Sequence, residues 1–419
     1  MAADRRYDID ALRGHFPALA DGAAHFDGPG GSQVPDVVAD AVRDTLTSAI
    51  ANRGRITAAE RTAETTVREA RAAMADLLAA DPRGIVFGRS MTQLTYDFAR
   101  TLAKTWRPGD NIVVTRLDHD ANIRPWVQAA EAVGVAVRWA EFEPATGELT
   151  EEHVAAHLSP RTRLVAVTGA SNLIGTRPPL AAITGLAHEA GAYTYVDGVH
   201  LTAHLPVDVA ALGADFFACS PYKFLGPHCG VLAADPDLLA TLHPDKLLPA
   251  TDAVPERFEL GTLPYELLAG TTAAVTFLAS LASSAGDRRT RLVGSMTAIA
   301  EHEDRLRHTI ETRLADLPGI TCHSRASSRT PTLLLTFDDR PAADLSADES
   351  PAANRSAAEA YAFLAERGVN APAGSFYALE ASRWLGLGDT GGLRIGLAPY
   401  SNSDDVDRLL DGLTEFVAK

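Results

Sequence analysis

The sequence predicts an α/β protein with a large parallel sheet and a smaller α+β unit at its C-terminal end. Three features predict this. Short apolar runs alternate with helix-like segments through the middle of the chain, as βαβ units require. The pattern changes after about residue 285. The chain has 419 residues, 46% of them hydrophobic, enough for one large core and a second smaller one.

The runs NIVVTR (from Asn111), RLVAVTG (from Arg163), AYTYVDG (from Ala192) and ADFFACS (from Ala214) read as buried strands. PLAAITGLAHEAGA (179–192) reads as a helix between two of them. Strand–helix alternation implies a parallel sheet covered on both faces, and such sheets bind ligands at the carboxyl ends of their strands. Beyond residue 285, SMTAIAEHEDRLRHTIETRLADL (295–317) reads as one long amphipathic helix. TPTLLLTF (330–337) and GLRIGLAP (392–399) read as strands, and SAAEAYAFLAERG and DDVDRLLDGLTEFVAK as helices. The expected division is 15–285 and 286–419, with residues 1–14 packed on the second unit. DDRPAADLSADESPAANRS (338–356) reads as a surface loop or insertion.

Composition narrows the partners. A net charge of −16 repels nucleic acid and anionic membranes, so neither is expected as a partner. The three cysteines, Cys219, Cys229 and Cys322, are too few for a disulfide framework and fit a reducing compartment. The N-terminal stretch lacks an apolar core of signal-peptide length, and no window approaches the roughly 18 apolar residues of a membrane span. The expected location is the cytoplasm. No metal site is expected.

Lysine occurs only at positions 104, 223, 246 and 419, in a chain otherwise rich in arginine. Arginine stays charged, whereas a lysine amine can lose its proton and form an imine. In SPYKFLGPHCG (220–230), Lys223 follows a strand and sits among apolar residues, which favours the neutral amine. Taken alone it could as well be a surface lysine. In TYVDGVH (194–200), Asp197 ends an apolar strand, where a carboxylate needs a partner. The alternative is a turn aspartate, common before glycine. FGRSMTQLTYDFARTLA (87–103) is a turn followed by a helix, with Ser90 and Thr92 at the start. Free N–H groups there suit a phosphate, although an ordinary N-cap explains the hydroxyls equally. His119, in LDHDANIRPW, follows a strand and could stack on a flat ring or be a plain loop histidine. The order and spacing of the four signals along one sheet favour a common site. Pyridoxal phosphate (PLP) answers to them, because its aldehyde bonds a lysine and its ring nitrogen pairs with an aspartate.

These segments resemble the class V branch of fold-type I PLP enzymes, within the cysteine desulfurase-like subgroup. The resemblance runs from HFDGPGGSQVP (25–35) to RIGLAPYSNSDDVDRLL (394–410). It implies a mainly parallel seven-stranded type of sheet and a homodimer with shared active sites. It implies that Lys223 holds PLP as a Schiff base, that Asp197 pairs with the ring nitrogen and that His119 stacks on the ring. His200 stands where the family places a side chain, often Gln, that bonds the phenolic oxygen. Asn172 matches the asparagine beside cofactor and substrate carboxylate. Ser90, Met91, Thr92 and Ser220 form the phosphate turn, with Met91 restricted to a backbone contact. Tyr222 replaces a common histidine before the lysine. Thr262, in RFELGTLPYE, matches the threonine donated to the neighbouring subunit's phosphate. Arg394 matches the clamp for the substrate carboxylate, though it could also be a surface ion pair.

One departure matters. Cysteine desulfurases carry a nucleophilic cysteine shortly before that arginine, and the region here, GVNAPAGSFYALEASRWLG (368–386), contains none. Ser375, Phe376 and Tyr377 are expected to line the substrate pocket instead. The first expectation is therefore C–S lyase-type β-elimination of a cysteine-like amino acid conjugate. The alternative is an aminotransferase, epimerase or decarboxylase acting on a secondary-metabolite amino acid. A second alternative, a non-catalytic binding protein of the same fold, has the set Lys223, Asp197 and Arg394 against it.

Overall fold

The computed structural model describes residues 7–282, 285–337 and 355–418. The stretch 338–356, expected as a surface loop, lies outside them except for its last two residues.

Seven strands form the central sheet: β1 (Ile85–Gly88), β2 (Asn111–Thr115), β3 (Ala136–Ala140), β4 (Thr162–Thr168), β5 (Tyr193–Asp197), β6 (Phe216–Cys219) and β7 (Gly230–Ala234). Their order is β1-β7-β6-β5-β4-β2-β3. The four strands expected from sequence are β2, β4, β5 and β6, and they are contiguous and parallel. Alternate side chains go to opposite faces, as a strand requires. Val113, Val165, Val196 and Phe217 enter one core, and Val114, Ala166, Tyr195 and Phe216 the other.

Strand β7 runs antiparallel to both β6 and β1. Two reversals in series return β1 to the direction of β6. The C-terminal ends of β1, β6, β5, β4 and β2 therefore share one rim, and the start of β7 lies on it too.

The C-terminal unit holds an antiparallel sheet of β8 (Ile320–Cys322), β9 (Thr332–Phe337), β10 (Ala373–Gly374) and β11 (Gly392–Gly396), in the order β10-β11-β9-β8. The long helix spans Arg288–Leu314, its first turn capped by the Asp287 carboxylate, which accepts from the Thr290 N–H at 2.8 Å. Leu292, Met296 and Ile299 on this helix pack into the large core, whereas Ile310 and Leu314 pack into the C-terminal core. The expected division at 285/286 thus falls just before a helix that both units share.

The N-terminal segment also joins them. Tyr7 donates to Pro399 O at 2.6 Å, and Arg13 pairs with Asp405 at 2.7 Å. Ala24–His25 pairs in parallel with Val369–Asn370, which carries Ala24 and Phe26 into the C-terminal core. Among the described residues, no helix is long and apolar enough to cross a membrane.

Candidate active site

The sheet rim presents the expected residues in spatial order. Lys223 follows β6, Asp197 ends β5, Asn172 follows β4 and His119 follows β2. All four line one cavity, together with Ser90, Met91, Thr92, His200, Ser220 and Tyr222. An adjoining compartment shares Lys223, His119 and Asn172 and adds Phe376, Tyr377 and Arg394. Chain order has become a half-ring of chemistry because parallel strands end side by side.

The Lys223 amine donates to the Pro29 carbonyl and lies 5.0 Å from the centre of the Tyr222 ring. Burial pulls its pKa down to about 7; Arg394 adds to the shift and Asp197 opposes it. Near neutrality much of this amine is therefore an uncharged nucleophile. Asp197 is 5% exposed, and its carboxylate accepts from the Val199 N–H at 3.0 Å. Burial raises it to about 6, against the pull of that hydrogen bond and of Lys223. A buried carboxylate so thinly supported is suited to a cationic partner.

A buried network positions His119. The Thr115 hydroxyl donates to Asp118, Asn122 donates to Asp118 at 2.7 Å, and Trp126 donates to Asn122 at 2.9 Å. Burial holds the Asp118 carboxyl well above the usual range. His119 Nδ1 accepts from the Ala121 N–H at 3.0 Å, which leaves the proton of the neutral ring on Nε2. Burial lowers its pKa to about 4, with Lys223 and Arg394 contributing. A neutral imidazole presents a flat face to a ring ligand.

The Met91–Ala103 helix begins at this rim. Ser90 is its N-cap, and the Ser90 hydroxyl accepts from the Gln93 N–H at 3.1 Å. The N–H groups of Met91 and Thr92 have no acceptor within the helix. The Met91 side chain packs into the core with Leu94 and Phe98, so only its backbone remains for a ligand. Gly230 permits this arrangement: a Cβ there would lie 2.3 Å from Ser90 C and 2.5 Å from Met91 N.

At the opposite end, Arg394 lies on β11, 3% exposed. One guanidinium nitrogen donates to Asn172 O at 3.0 Å, and the Phe376 ring covers its face with the centroid 3.6 Å from Cζ. Its Nε is buried without a partner, and so is Asn172 Oδ1. Burial pulls Arg394 down to about 9, still a cation at neutral pH. A buried cation with an unsatisfied donor fits an anionic ligand group.

Two expected residues stand apart. Ser375 lines neither compartment, although Phe376 and Tyr377 beside it do. Thr262 is exposed and lines a separate cavity with Arg89, Gln93 and His228. Cys219 and Cys229 are buried, with thiol pKa values raised by burial, and Cys322 sits on β8; none of the three lines the site.

Sequence reasoning missed Gly230, the Asp118 network and the pair Thr330 and Thr332 that holds His200. The apolar run GVLAA (230–234) after GPHC could have located β7 and with it Gly230. Nothing local marks the two threonines.

An amine, a carboxylate, a helix N-terminus and a guanidinium with an unpaired Nε surround the compartments. They fit a flat cofactor with aldehyde, ring nitrogen and phosphate, together with a carboxylate-bearing substrate. Comparison with known proteins agrees. The family model described as "Aminotransferase class-V" matches residues 24–409. An uncharacterized protein of Mycobacterium tuberculosis is 32% identical over 410 residues, covering 97% of this chain and 98% of the relative. A cysteine desulfurase of Dickeya dadantii is 32% identical over 431 residues, covering 97% and 96%. The crystal structure of the cysteine desulfurase CsdA of Escherichia coli superposes with a TM-score of 0.82 at 27% identity, covering 98% of this chain and 99% of that one.

Proposed function

Since the chain belongs to the class V aminotransferase family and is a PLP-dependent enzyme, we propose that it eliminates a sulfur substituent from Cβ of a cysteine-like amino acid without a persulfide-forming cysteine. One observation carries this reading: two adjoining compartments that share Lys223 are lined by Asp197 and Arg394, while all three cysteines lie outside them.

Bound PLP supplies an electron sink for the α-carbon of an amino acid. Lys223 would hold it, Asp197 would keep the proton on its ring nitrogen, and His119 would cover its face. Ser90, Met91 and Thr92, with Ser220, would receive its phosphate. Arg394, helped by Asn172, would bind the substrate carboxylate through charge-assisted hydrogen bonds. Lys223 Nζ, once free, would take the α-proton as a general base, a role that its buried setting favours. The Cα–H electron pair would become the Cα–Cβ π bond and the Cβ–S pair would leave on sulfur, which takes up a proton; the 2-aminoacrylate set free would take up water to give pyruvate and ammonia.

The same reading includes a homodimer. Thr262 is exposed and lines neither compartment of this chain's own site, and Ile56 and Leu248 are 87% and 97% exposed. A second copy would cover such apolar side chains and receive the threonine. A cytoplasmic location is part of the proposal, in keeping with three free cysteines.

The test is an amino acid panel assayed for pyruvate, sulfide, ammonia and CO2. Sulfide and pyruvate in equal amounts support elimination. Keto acid formed only when an amino acceptor is present replaces it with transamination. Lys223→Ala is expected to abolish turnover with the fold intact, and full activity in that variant would overturn the assignment.

A further inference from the structure

We propose that Thr332 is a positioning residue that makes His200 a hydrogen-bond donor toward the phenolic oxygen of the cofactor. The inference rests on the PLP reading above.

His200 Nε2 lies 3.0 Å from the Thr330 hydroxyl and 2.9 Å from the Thr332 hydroxyl. All three side chains are buried, at 4%, 1% and 0% exposure. A neutral imidazole nitrogen either carries a proton or offers one lone pair. The Thr330 hydroxyl has an acceptor of its own, Gly175 O, at 3.3 Å. Thr332 has none besides His200 among the described residues. Were the ring proton on Nε2, the Thr332 hydroxyl hydrogen would be buried unpaired, which folding disfavours. Thr332 therefore donates, Nε2 accepts and Nδ1 carries the proton.

His200 performs this role uncharged. Burial lowers its pKa, and His204, Lys223 and Arg394 lower it further. The His204 ring stands edge-on at 4.8 Å, and its Nδ1 is 2.8 Å from Glu303 on the long helix, a residue that is fully buried. Thr330 and Thr332, which pack on the other side, bring no charge. A neutral Nδ1–H stabilises an ionised phenolic oxygen, whereas a bare Nδ1 would stabilise the protonated phenol. A hydroxyl on the C-terminal sheet thus sets the ionisation of a ligand bound on the central sheet.

The experiment is an absorption spectrum of the holoenzyme against pH. Ionised and protonated phenolic forms absorb in separate long-wave and short-wave bands. Wild type, Thr332→Ser, Thr330→Val and His200→Gln are expected to keep the long-wave band at neutral pH. Thr332→Val is expected to shift the phenolic pKa up by about one unit, a roughly tenfold change in band ratio. Should that variant not fold, His200→Leu takes its place and is expected to lose the band that His200→Gln keeps. A short-wave band in the wild type, or an unchanged ratio in Thr332→Val, overturns the proposal. The absence of any cofactor band in the wild type overturns the underlying PLP reading instead.

Discussion

Tyr377 stacks on His119, ring centroids 5.5 Å apart and planes within 26°. The residue before it, Phe376, covers Arg394. Both have left-handed backbone, with φ of 53° and 59°, a conformation that costs a non-glycine residue about 1 kcal/mol or more. Two hydrogen bonds hold the pair: Asn172 Nδ2 to Phe376 O at 2.9 Å, and Asp120 N–H to Tyr377 O at 2.7 Å. Asn172→Ala removes the first of these and also the carboxamide beside Arg394. Its kcat/KM is expected to fall by roughly 100-fold, the scale of a small misplacement of binding groups, with little change in Tm. Parallel kinetics and thermal melts check this.

Capture of PLP by apoprotein needs the neutral Lys223 amine. The fraction of that form rises with pH, and burial brings the midpoint to about 7 from the ordinary 10.5. The capture rate is expected to climb between pH 6 and 8, roughly one unit either side of that midpoint, and then level off. Stopped-flow absorbance measures it, and a rate still climbing steeply above pH 9 contradicts the buried position of the amine.

Arg394→Gln separates binding from folding. Loss of a charged hydrogen bond, about 1.5–3 kcal/mol, lowers kcat/KM by roughly 10- to 150-fold. The apoprotein is expected to keep its Tm or gain slightly, because a buried guanidinium with an unpaired Nε is removed. A large drop in Tm would assign Arg394 a structural role.

Gly230→Ala places a methyl group against Ser90 and Met91. Overpacking of this kind costs about 1–3 kcal/mol and moves the helix start. PLP affinity is expected to fall at least tenfold, as read by equilibrium dialysis, whereas Gly185→Ala, where a Cβ meets nothing within 4 Å, leaves it unchanged.

Much of the site was legible before folding. Asp197 and Lys223 announced themselves because one apolar run of strand length ended at Asp197 and another ended just before Lys223, and strand ends in parallel sheets share a rim. His119 was legible for the same reason. The edge of the sheet was not: β1 is a four-residue run, and β7 runs antiparallel within a sheet read as parallel. The turn at Ser90 needed both, since Gly230 on β7 makes room for it.

Residue types and their order along the chain pointed to one amine in an apolar setting and one carboxylate at a strand end, and the family resemblance singled out Arg394 among the C-terminal arginines. Long-range packing settled how that chemistry is poised. Burial brought Lys223 to about 7, Phe376 came to lie on Arg394 and Thr332 came to point at His200. Those relations join residues far apart in the chain, and protonation depends on distance and desolvation, which no local pattern of residues encodes.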